Sequence, residues 1–243
     1  IITVTYNASR FLERTLQSIL SQSYDNIELV VIDGNSTDGT QEIIRQYEDR
    51  IAYWVSEPDK SLYDAMNKGL AKAIGDYVWF VNAGDAIHSI DTVEQLVANL
   101  QDASPDIIYG ETEIINERGE ALGMRRLRAP EKLNWKSFSM GMLVCHQSFI
   151  VKKEIAPRFD LQYRYSSDFD WCICCMKQTD SIFNSRLILS KFMEEGMSST
   201  NRKASLKERY KIMCHYYGVI PTQLKHIWFA VRFYFAKIFK GRV

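Results

Sequence analysis

What this chain lacks narrows it first. Its 243 residues contain no run of about 18 uninterrupted apolar residues, so no ordinary transmembrane helix is expected. No basic stretch followed by an apolar run opens the chain, so no secretory leader is read. Ile1 already lies inside a strand-like run, and a native start a few residues upstream is expected. Cysteine is scarce and unpaired. The five, Cys145, Cys172, Cys174, Cys175 and Cys214, have no framework spacing, which favours reduced thiols and a cytosolic setting. Three of them crowd into a helix-like run, residues 169–177, with no histidine nearby, and read as small buried apolar residues rather than a metal cluster. There is no internal repeat, no low-complexity tract and no evident linker. Net charge is absent too, at 30 basic and 30 acidic residues.

What is present is ample apolar material, 46% of residues, which excludes a disordered chain. The charge is also unevenly placed. Residues 201–243 hold ten lysines and arginines against one acid, Glu208, leaving 20 bases against 29 acids before them. An acidic body with a basic tail suggests a surface partner for the tail.

Periodicity sketches the organisation. Residues 1–5 read as the end of a first strand, and residues 9–20 place Phe11, Leu12, Leu16, Ile19 and Leu20 on one helical face. Residues 27–32, apolar except Glu28, suit a buried parallel strand ending at Asp33. Ser36 or Asp38 caps a helix starting near Thr40, with Glu42 in its first turn. A third strand at 51–55, a helix at 61–74 closed by Gly75, and a fourth strand at 77–81 follow. This alternation predicts an α/β fold with a doubly wound, mostly parallel sheet. Beyond Asp85 the rhythm loosens into a helix at 91–100, a strand at 106–115, a turn at 117–120, a strand at 143–151 and a helix at 168–176. From Ala204 the chain is helical, with Pro221 as a break. The expected plan is a domain over 1–200, in two halves, 1–90 and 91–200, and a basic amphipathic helical tail over 201–243.

Four polar clusters follow or face the strand-like runs. They are Thr5-Tyr6-Asn7, Asp33-Gly34-Asn35-Ser36-Thr37-Asp38-Gly39-Thr40, Glu57-Pro58-Asp59 running into Tyr63-Asp64-Ala65-Met66-Asn67-Lys68-Gly69, and Asn82-Ala83-Gly84-Asp85. Open α/β sheets build their ligand crevice at the carboxyl ends of strands. Asp, Asn, Ser, Thr and Gly gathered there suit a nucleotide diphosphate and its metal. Asp64 and Asn67 fall at i, i+3 and can both look into that crevice. Lys60 or Lys68 can meet phosphate as a point charge, or remain a solvated helix charge.

Residues 1–7, 31–40 and 80–85 resemble the GT-A fold family 2 glycosyltransferases. The stretch 56–69 is similar to a bacterial branch of that family that builds colanic-acid-like and other surface polysaccharides. The resemblance is densest over 1–85 and thins beyond 200. It implies a Rossmann-like nucleotide half and an inverting hexosyl transfer from a nucleotide diphosphate sugar to a hydroxyl of a glycan or lipid-linked acceptor. On the donor side it implies Asp33 against the nucleobase, the other reading being an Asx-turn that shapes the loop. Thr5, Tyr6 and Asn7 then line the base and ribose pocket, and Asp59, Asp64, Asn67, Lys68, Asn82, Ala83 and Gly84 complete the donor site. Asn82–Asp85 stands where the family has its Asp-x-Asp metal motif. Asn82 and Gly84 replace acids, so Asp85 alone is left to hold Mg²⁺ or Mn²⁺. Ser166-Ser167-Asp168-Phe169-Asp170-Trp171 is similar to the family's Glu-Asp segment, with Ser167 at the Glu position, which makes Asp168 the base and Asp170 the fallback. Cys145-His146-Gln147-Ser148 resembles a strand segment on the acceptor side, where His146 and Gln147 either hydrogen-bond sugar or are satisfied core residues. Residues 194–199 look like a late Gly-Ser loop that closes over the diphosphate.

In the last helix Ile227, Trp228, Val231, Tyr234, Phe235, Ile238 and Phe239 fall on one side and Lys225, Arg232, Lys237 and Lys240 on the other. That face either packs on protein or lies in a membrane interface with its bases toward anionic headgroups. The expected location is the cytoplasm, with the tail placing the protein peripherally on the inner face of the cell membrane. Two other classes compete. A nucleotidyltransferase wants a Gly-rich basic loop after the first strand, which is missing. A non-catalytic nucleotide-sugar-binding subunit with a decayed metal motif draws only on Asn82 and Gly84. No nucleic-acid partner is expected, because the bases cluster with aromatic and aliphatic residues on one helix.

Overall fold

The structure, a computed structural model, describes residues 1–194 and 201–240, with the side chains of the final helix described as far as Phe229. Strands β1 (Ile2–Thr5), β2 (Val30–Asp33) and β3 (Tyr53–Ser56) form a parallel sheet in the order β1-β2-β3. β2, the central strand, is buried on both faces, which is why its Val30-Val31-Ile32 run is continuously apolar rather than alternating. Val30 and Ile32 pack with Tyr63, Met66 and Leu70 of helix α3 (Leu62–Lys72). Leu29 and Val31 pack on the opposite face with Leu12, Leu16 and Ile19 of α1 (Leu12–Leu20) and Ile44 of α2 (Thr40–Gln46). Helices on both faces give the doubly wound arrangement. Asp38, just before α2, accepts from the Thr40 amide and hydroxyl, as a capping acid does. At Gly69 a Cβ would stand 2.4 Å from Ile2 Cγ2, so α3 lies flush on β1 only because that residue is glycine.

The second sheet is mixed rather than parallel. Its order is β4 (Tyr77–Val78), β8 (Phe149–Lys152), β6 (Ile107–Ile115), β9 (Ile182–Met193), β5 (Ala86–Ile87), with β7 (Ala121–Met124) on β6. Only β6 and β9 pair in parallel; β4–β8, β6–β8, β6–β7 and β5–β9 are antiparallel. β5, β7 and β9 have no counterpart in the periodicity. In β9 the register against β6 slips twice and Arg186 takes φ +58°, which breaks the two-residue alternation that marks a strand. The strand expected over 143–151 is shorter. A 3₁₀ turn, His146–Ser148, precedes β8.

The two sheets are sewn together by the segment after β4. Ile2 donates to the Trp79 carbonyl at 2.8 Å, Val81 to Ile2 at 3.0 Å and Ala83 to Val4 at 3.1 Å. Tyr77 and Val78 meanwhile pair with Lys152 and Val151 of β8. Beneath this seam Phe80, Phe149 and Phe159 surround Trp171 of α5 (Ser167–Met176), with Phe159 stacked on Trp171 at 4.9 Å. Helix α4 (Thr92–Leu100) covers the other side through Val93 and Leu96.

Helices α6 (Arg202–Tyr217) and α7 (Val219–Lys240) follow. Ile212 and Met213 of α6 belong to the core that holds Ile2 and Trp171. Gly218, at φ +86°, separates the two helices, whereas Pro221, expected to do so, sits in the first turn of α7, where its missing N–H costs little. No helix among the described residues is long and apolar enough to cross a membrane.

One buried side chain ties the halves locally. Asn67 of α3 donates to the Phe159 carbonyl at 2.9 Å and accepts from the Phe159 amide at 2.7 Å. Replacing it leaves two buried backbone groups unpaired, at about 1–3 kcal/mol each. Asn67→Ala is therefore expected to lose about 2–4 kcal/mol in urea unfolding, with a fall in Tm on the order of 5–15 °C.

Candidate active site

Thr5, Asp33 and Ser56 are register partners at the carboxyl ends of β1, β2 and β3, so parallel pairing sets three polar residues side by side at the crevice. The Asp33 carboxylate, however, faces the fold. It is 0% exposed and accepts from the Ser36 amide at 2.9 Å, the Ser36 hydroxyl and the Ser56 hydroxyl at 2.6 Å. Ser36 Oγ accepts in turn from the Asn7 amide, and Asn7 Oδ1 from the Thr37 amide. Ser36 thus closes an Asx-type turn on Asp33, whose Oδ2 accepts two hydrogen bonds and whose Oδ1 accepts one. What remains open at this mouth is Tyr6, 66% exposed, with exposed Asn7 and Asn35, both at positive φ. Gly34 lies between them, where a Cβ would approach Asp59 Oδ2 to 3.1 Å and Tyr6 Cδ2 to 3.2 Å. The buried Thr5 hydroxyl oxygen has no partner.

The third cluster is mostly occupied with itself. Asn67 does not look into the crevice; it is the Phe159 clamp. Asp64 accepts from the Lys60 amide at 3.0 Å, and its own amide donates to the capping hydroxyl of Ser61. Lys68 is not free for phosphate: its ammonium meets Asp59 at 2.6 Å, Glu57 at 2.8 Å and the Pro58 carbonyl at 3.0 Å. Burial raises the Asp59 carboxyl, and Lys68 draws it back only in part.

The fourth cluster departs furthest from expectation. Asp85 is buried, its Oδ2 accepting from Gln147 Nε2 at 2.8 Å and its Oδ1 from the Met193 amide at 3.0 Å. Burial pushes its carboxyl up to about 6, with Gln147, Met193, His146 and Arg14 holding it from going higher. Arg14 reaches in from α1 to the Gly84 carbonyl at 2.8 Å, a residue the motifs gave no reason to select. Gly84 takes φ +104°, a conformation that strains any side chain, and a Cβ there would stand 2.6 Å from Met193 Cε at the flexible end of that side chain, so the backbone more than the space disfavours an acid at that position.

A hard divalent cation takes carboxylate oxygens. The single acid of this turn is committed inward, and what remains is the Asn82 amide oxygen, buried and without a partner. Among the described residues no three His, Cys, Asp or Glu side chains stand together as a ligand set. The residues present do not fit a resident Mg²⁺ or Mn²⁺ on Asp85.

On the opposite wall, α5 presents Asp168. Its Oδ1 accepts from the Tyr63 hydroxyl at 3.0 Å, and its Oδ2 stands 3.4 Å from His146 Nδ1. Burial alone would raise this carboxyl, but the hydrogen bond and charge of His146, with Arg209 and Tyr63, outweigh it and hold it at about 2. Burial and the Asp168 charge push the Tyr63 phenol well above its usual range, so it remains a donor. His146 lies on the 3₁₀ turn rather than on a strand, and its Nε2 is 3.4 Å from Asn82 Nδ2. The structure thus joins Tyr63, Asp168, His146 and Asn82, which lie far apart in sequence. Tyr63 belongs to the third cluster, and its signal in the sequence is the i, i+4 pairing with Asn67 on the buried face of α3.

Two expected partners lie elsewhere. Gln147 is buried, bonded to Asp85 and accepting from Cys145 Sγ, so it supports the turn rather than facing acceptor. Asp170 accepts from the Tyr216 hydroxyl at 2.9 Å and docks α6, which leaves it unsuited as a fallback base. On α7, Lys225 packs over Tyr217 and bonds Ser139, and His226 meets Tyr210. Ile220, Leu224, Ile227 and Trp228 are exposed, the last two at 62% and 55%. The expectations for residues 195–199 and for the side chains of Val231, Arg232, Tyr234, Phe235, Lys237, Ile238, Phe239 and Lys240 fall outside the described residues.

Comparison with known proteins places this geometry. The glycosyl transferase family 2 profile matches residues 1–156. An uncharacterised glycosyltransferase of Mycobacterium tuberculosis is 31% identical over 205 residues, covering 82% of this chain and 76% of that one. A PGL/p-HBAD biosynthesis glycosyltransferase of the same species is 27% identical, covering 85% and 77%. Among solved structures, Staphylococcus aureus TarS in complex with UDP-GlcNAc superposes with a TM-score of 0.68 at 17% identity, covering 87% of this chain and 63% of that one. A mannosyltransferase from Pyrobaculum calidifontis, in complex with GDP-Man and Mn²⁺, superposes at 0.62 and 16% identity, covering 95% and 74%. At such identities the likeness is one of fold, the GT-A arrangement of mixed sheet and flanking helices. The chain spans about two thirds or less of the length of several TarS structures it matches.

The buried Asp85 makes stability depend on pH. Its folded value of about 6 lies above the unfolded 3.8, so the folded state binds the proton more tightly. The stabilisation is complete below pH ~4 and is lost as pH rises through ~6, amounting to about 3 kcal/mol. Urea midpoints of the wild type, measured from pH 4 to 7, are expected to show this decline, and those of Asp85→Asn to lack it.

Proposed function

The chain belongs to glycosyl transferase family 2, and from that premise we propose that it moves a hexose from a nucleoside diphosphate sugar to a hydroxyl of a glycan or lipid-linked acceptor, with inversion, in bacterial surface-polysaccharide synthesis. The observation that carries this reading is Asp168, an ionised and almost fully buried carboxylate on the wall opposite the strand-end mouth. A charge kept there against its desolvation cost is characteristic of a reaction centre. The relatives named for PGL/p-HBAD synthesis, and a Bacillus subtilis glycosyltransferase named for teichuronic acid biosynthesis, support the glycan setting. The neighbours that hold UDP-GlcNAc and GDP-Man support the donor class.

In this reading the nucleoside lies against Tyr6, Asn7, Gly34 and Asp59, with the free Thr5 hydroxyl as a further contact. The acceptor hydroxyl attacks the anomeric carbon from the Asp168 side. Its oxygen forms the new bond as the bond from that carbon to phosphate oxygen breaks, and the electron pair leaves with the nucleoside diphosphate. The hydroxyl proton goes to the basic site that Asp168 supplies. In-line displacement inverts the carbon.

We further assign the Ile220, Leu224, Ile227 and Trp228 face of α7 to an anionic membrane surface. An apolar stripe exposed on a helix in the basic tail is the pattern of an interfacial helix, and a lipid-linked acceptor makes that placement useful. This location is the cytoplasmic face of the membrane.

A thermal-shift panel with UDP, GDP, CMP and dTDP, each with and without Mn²⁺, tests the donor class. One diphosphate at 100 times its Kd should add about 2.7 kcal/mol of stability. Mn²⁺ without nucleotide should leave Tm unchanged, because Asp85 is committed inward. Asp168→Asn should retain that stabilisation and lose turnover by about 10²–10⁴-fold. If a nucleotide stabilises the chain but no transfer occurs, the non-catalytic reading replaces this one; if none binds, both readings fall. For the tail, sedimentation with vesicles containing phosphatidylglycerol should pull down the wild type but not Leu224→Glu/Trp228→Glu; equal partition of both variants would remove the membrane assignment.

A further inference from the structure

We propose that Arg209 of α6 binds a phosphate group of the substrates beside Asp168, its guanidinium donating to the phosphate oxygens. This rests on the reading of the chain as a transferase with a phosphate-bearing donor. It adds to the site a residue from the tail, outside the segment that the family profile matches. Two substrates carry that chemistry: the nucleoside diphosphate that departs and, where the acceptor is lipid-linked, the acceptor's own phosphate.

The place of Arg209 follows from how α6 is docked. Ser205, Arg209, Ile212 and Tyr216 recur at helical spacing on one face. Along that face Ser166 Oγ donates to the Ser205 carbonyl at 3.1 Å, Ile212 enters the core, and the Tyr216 hydroxyl donates to Asp170 at 2.9 Å. Beside it Glu208 accepts from the amides of Arg164 at 2.9 Å and Tyr165 at 2.8 Å. These bonds hold α6 against the first turn of α5. There the Arg209 guanidinium lies 5.9 Å from the centroid of the Phe169 ring, one residue from Asp168. Its charge is felt at Asp168 and at the Tyr63 hydroxyl that donates to Asp168. A guanidinium over an aromatic face keeps its N–H fork in its own plane, where it can meet a phosphate bidentately.

Arg209 is held in place but not paired. It is half-buried, its Nε is buried without a hydrogen-bond partner, and among the described residues it forms no ion pair. A charge drawn partly out of water needs an anion or hydrogen-bond acceptors. The other cations drawn into the fold around the crevice are engaged. Lys68 lies between Asp59 and Glu57, Arg14 on the Gly84 and Glu117 carbonyls, and Arg125 on those of Leu127, Met142 and Leu143. Lys60 is exposed on the loop before α3. As the bond from the anomeric carbon to phosphate oxygen breaks, negative charge gathers on the departing diphosphate. The Asp85 turn has no free carboxylate to hold a metal ion against that charge. A guanidinium fixed in advance by an aromatic ring and a docked helix stabilises it without reorganising. On an acceptor phosphate the same fork would instead orient the attacking hydroxyl beside Asp168.

The test compares the whole chain with Arg209→Gln and Arg209→Lys, and with Lys207→Gln, an exposed residue of the same helix, as the control for net charge. In the donor arm, affinity for whichever of UDP and GDP stabilises the wild type is set against affinity for its nucleoside, uridine or guanosine. Arg209→Gln should weaken the diphosphate by about 10–100-fold and leave the nucleoside as in the wild type. In the acceptor arm, with nucleotide bound, farnesyl phosphate is set against farnesol. A loss of about the same size confined to farnesyl phosphate assigns Arg209 to the acceptor's phosphate instead. Arg209→Lys keeps the charge but not the fork, so it should fall between the wild type and Arg209→Gln in the arm that responds. It carries the comparison alone if Arg209→Gln fails to fold. Equal loss of phosphorylated and unphosphorylated ligands marks a distorted pocket and overturns the inference. So does an equal loss in Lys207→Gln, which would make the effect one of net charge. A lower kcat with unchanged affinity for both phosphates overturns it as well, because Arg209 would then act only through the Asp168 charge. In each of these cases the transferase reading stands; a wild type that binds neither UDP nor GDP overturns both.

Discussion

The structure depends on a short length of chain that hydrogen-bonds in two directions. Tyr77 and Val78 pair with β8, and Trp79 to Ala83 then bond β1, so one segment belongs to both sheets. Residues 78–81 are buried between the layers, where backbone groups must be paired. Pairing on both sides joins the parallel half to the mixed one. The crevice lies at the end of this seam, and Asn82 is its last side chain before the turn. The Trp171 aromatic cluster beneath and the Asn67–Phe159 clamp hold the second half to it.

Burial then assigns the acids their work. Asp33, Asp85, Asp168 and Asp170 all sit near the strand and helix ends where a catalytic or ligating carboxylate was expected, and all are largely removed from solvent. A buried carboxylate demands donors for both oxygens. For Asp33 these are Ser36 and Ser56, for Asp85 Gln147 and Met193, and for Asp170 Tyr216; each thereby ties one loop or helix to another. Asp168 differs in facing an imidazole, that of His146, while Tyr63 donates to its other oxygen.

The C-terminal helices show the same rule at larger scale. Helix α6 is basic by composition, yet it buries Ile212 and Met213 and lends Arg209 to the field around Asp168. Helix α7 turns its polar and aromatic side, Thr222, Lys225, His226 and Phe229, toward the domain. Ile220, Leu224, Ile227 and Trp228 face outward, the reverse of what solvent alone would select. An amphipathic pattern shows that two faces differ; which one is covered depends on what the rest of the chain offers to pack against.

The sequence by itself determined the nucleotide half. Apolar runs buried on both faces, separated by helical periods and ending in Asp, Asn and Gly, admit essentially one arrangement, and the positions of α1, α2, α3 and α5 were legible from it. Asp168 was legible as well, through the resemblance of its segment. Tertiary structure decided the rest. β9 was hidden because its register slips and a left-handed Arg186 erase the alternation, and the His146 turn because a stretch of mostly apolar residues looks like strand whether or not it pairs. The side-chain partners of Asp33, Asp85 and Asp168 were not readable at all. A carboxylate's role depends on which donors reach its two oxygens, and those donors come from residues 3 to 108 positions away along the chain. Local sequence fixes where a carboxylate stands; only the folded chain fixes what it is bonded to.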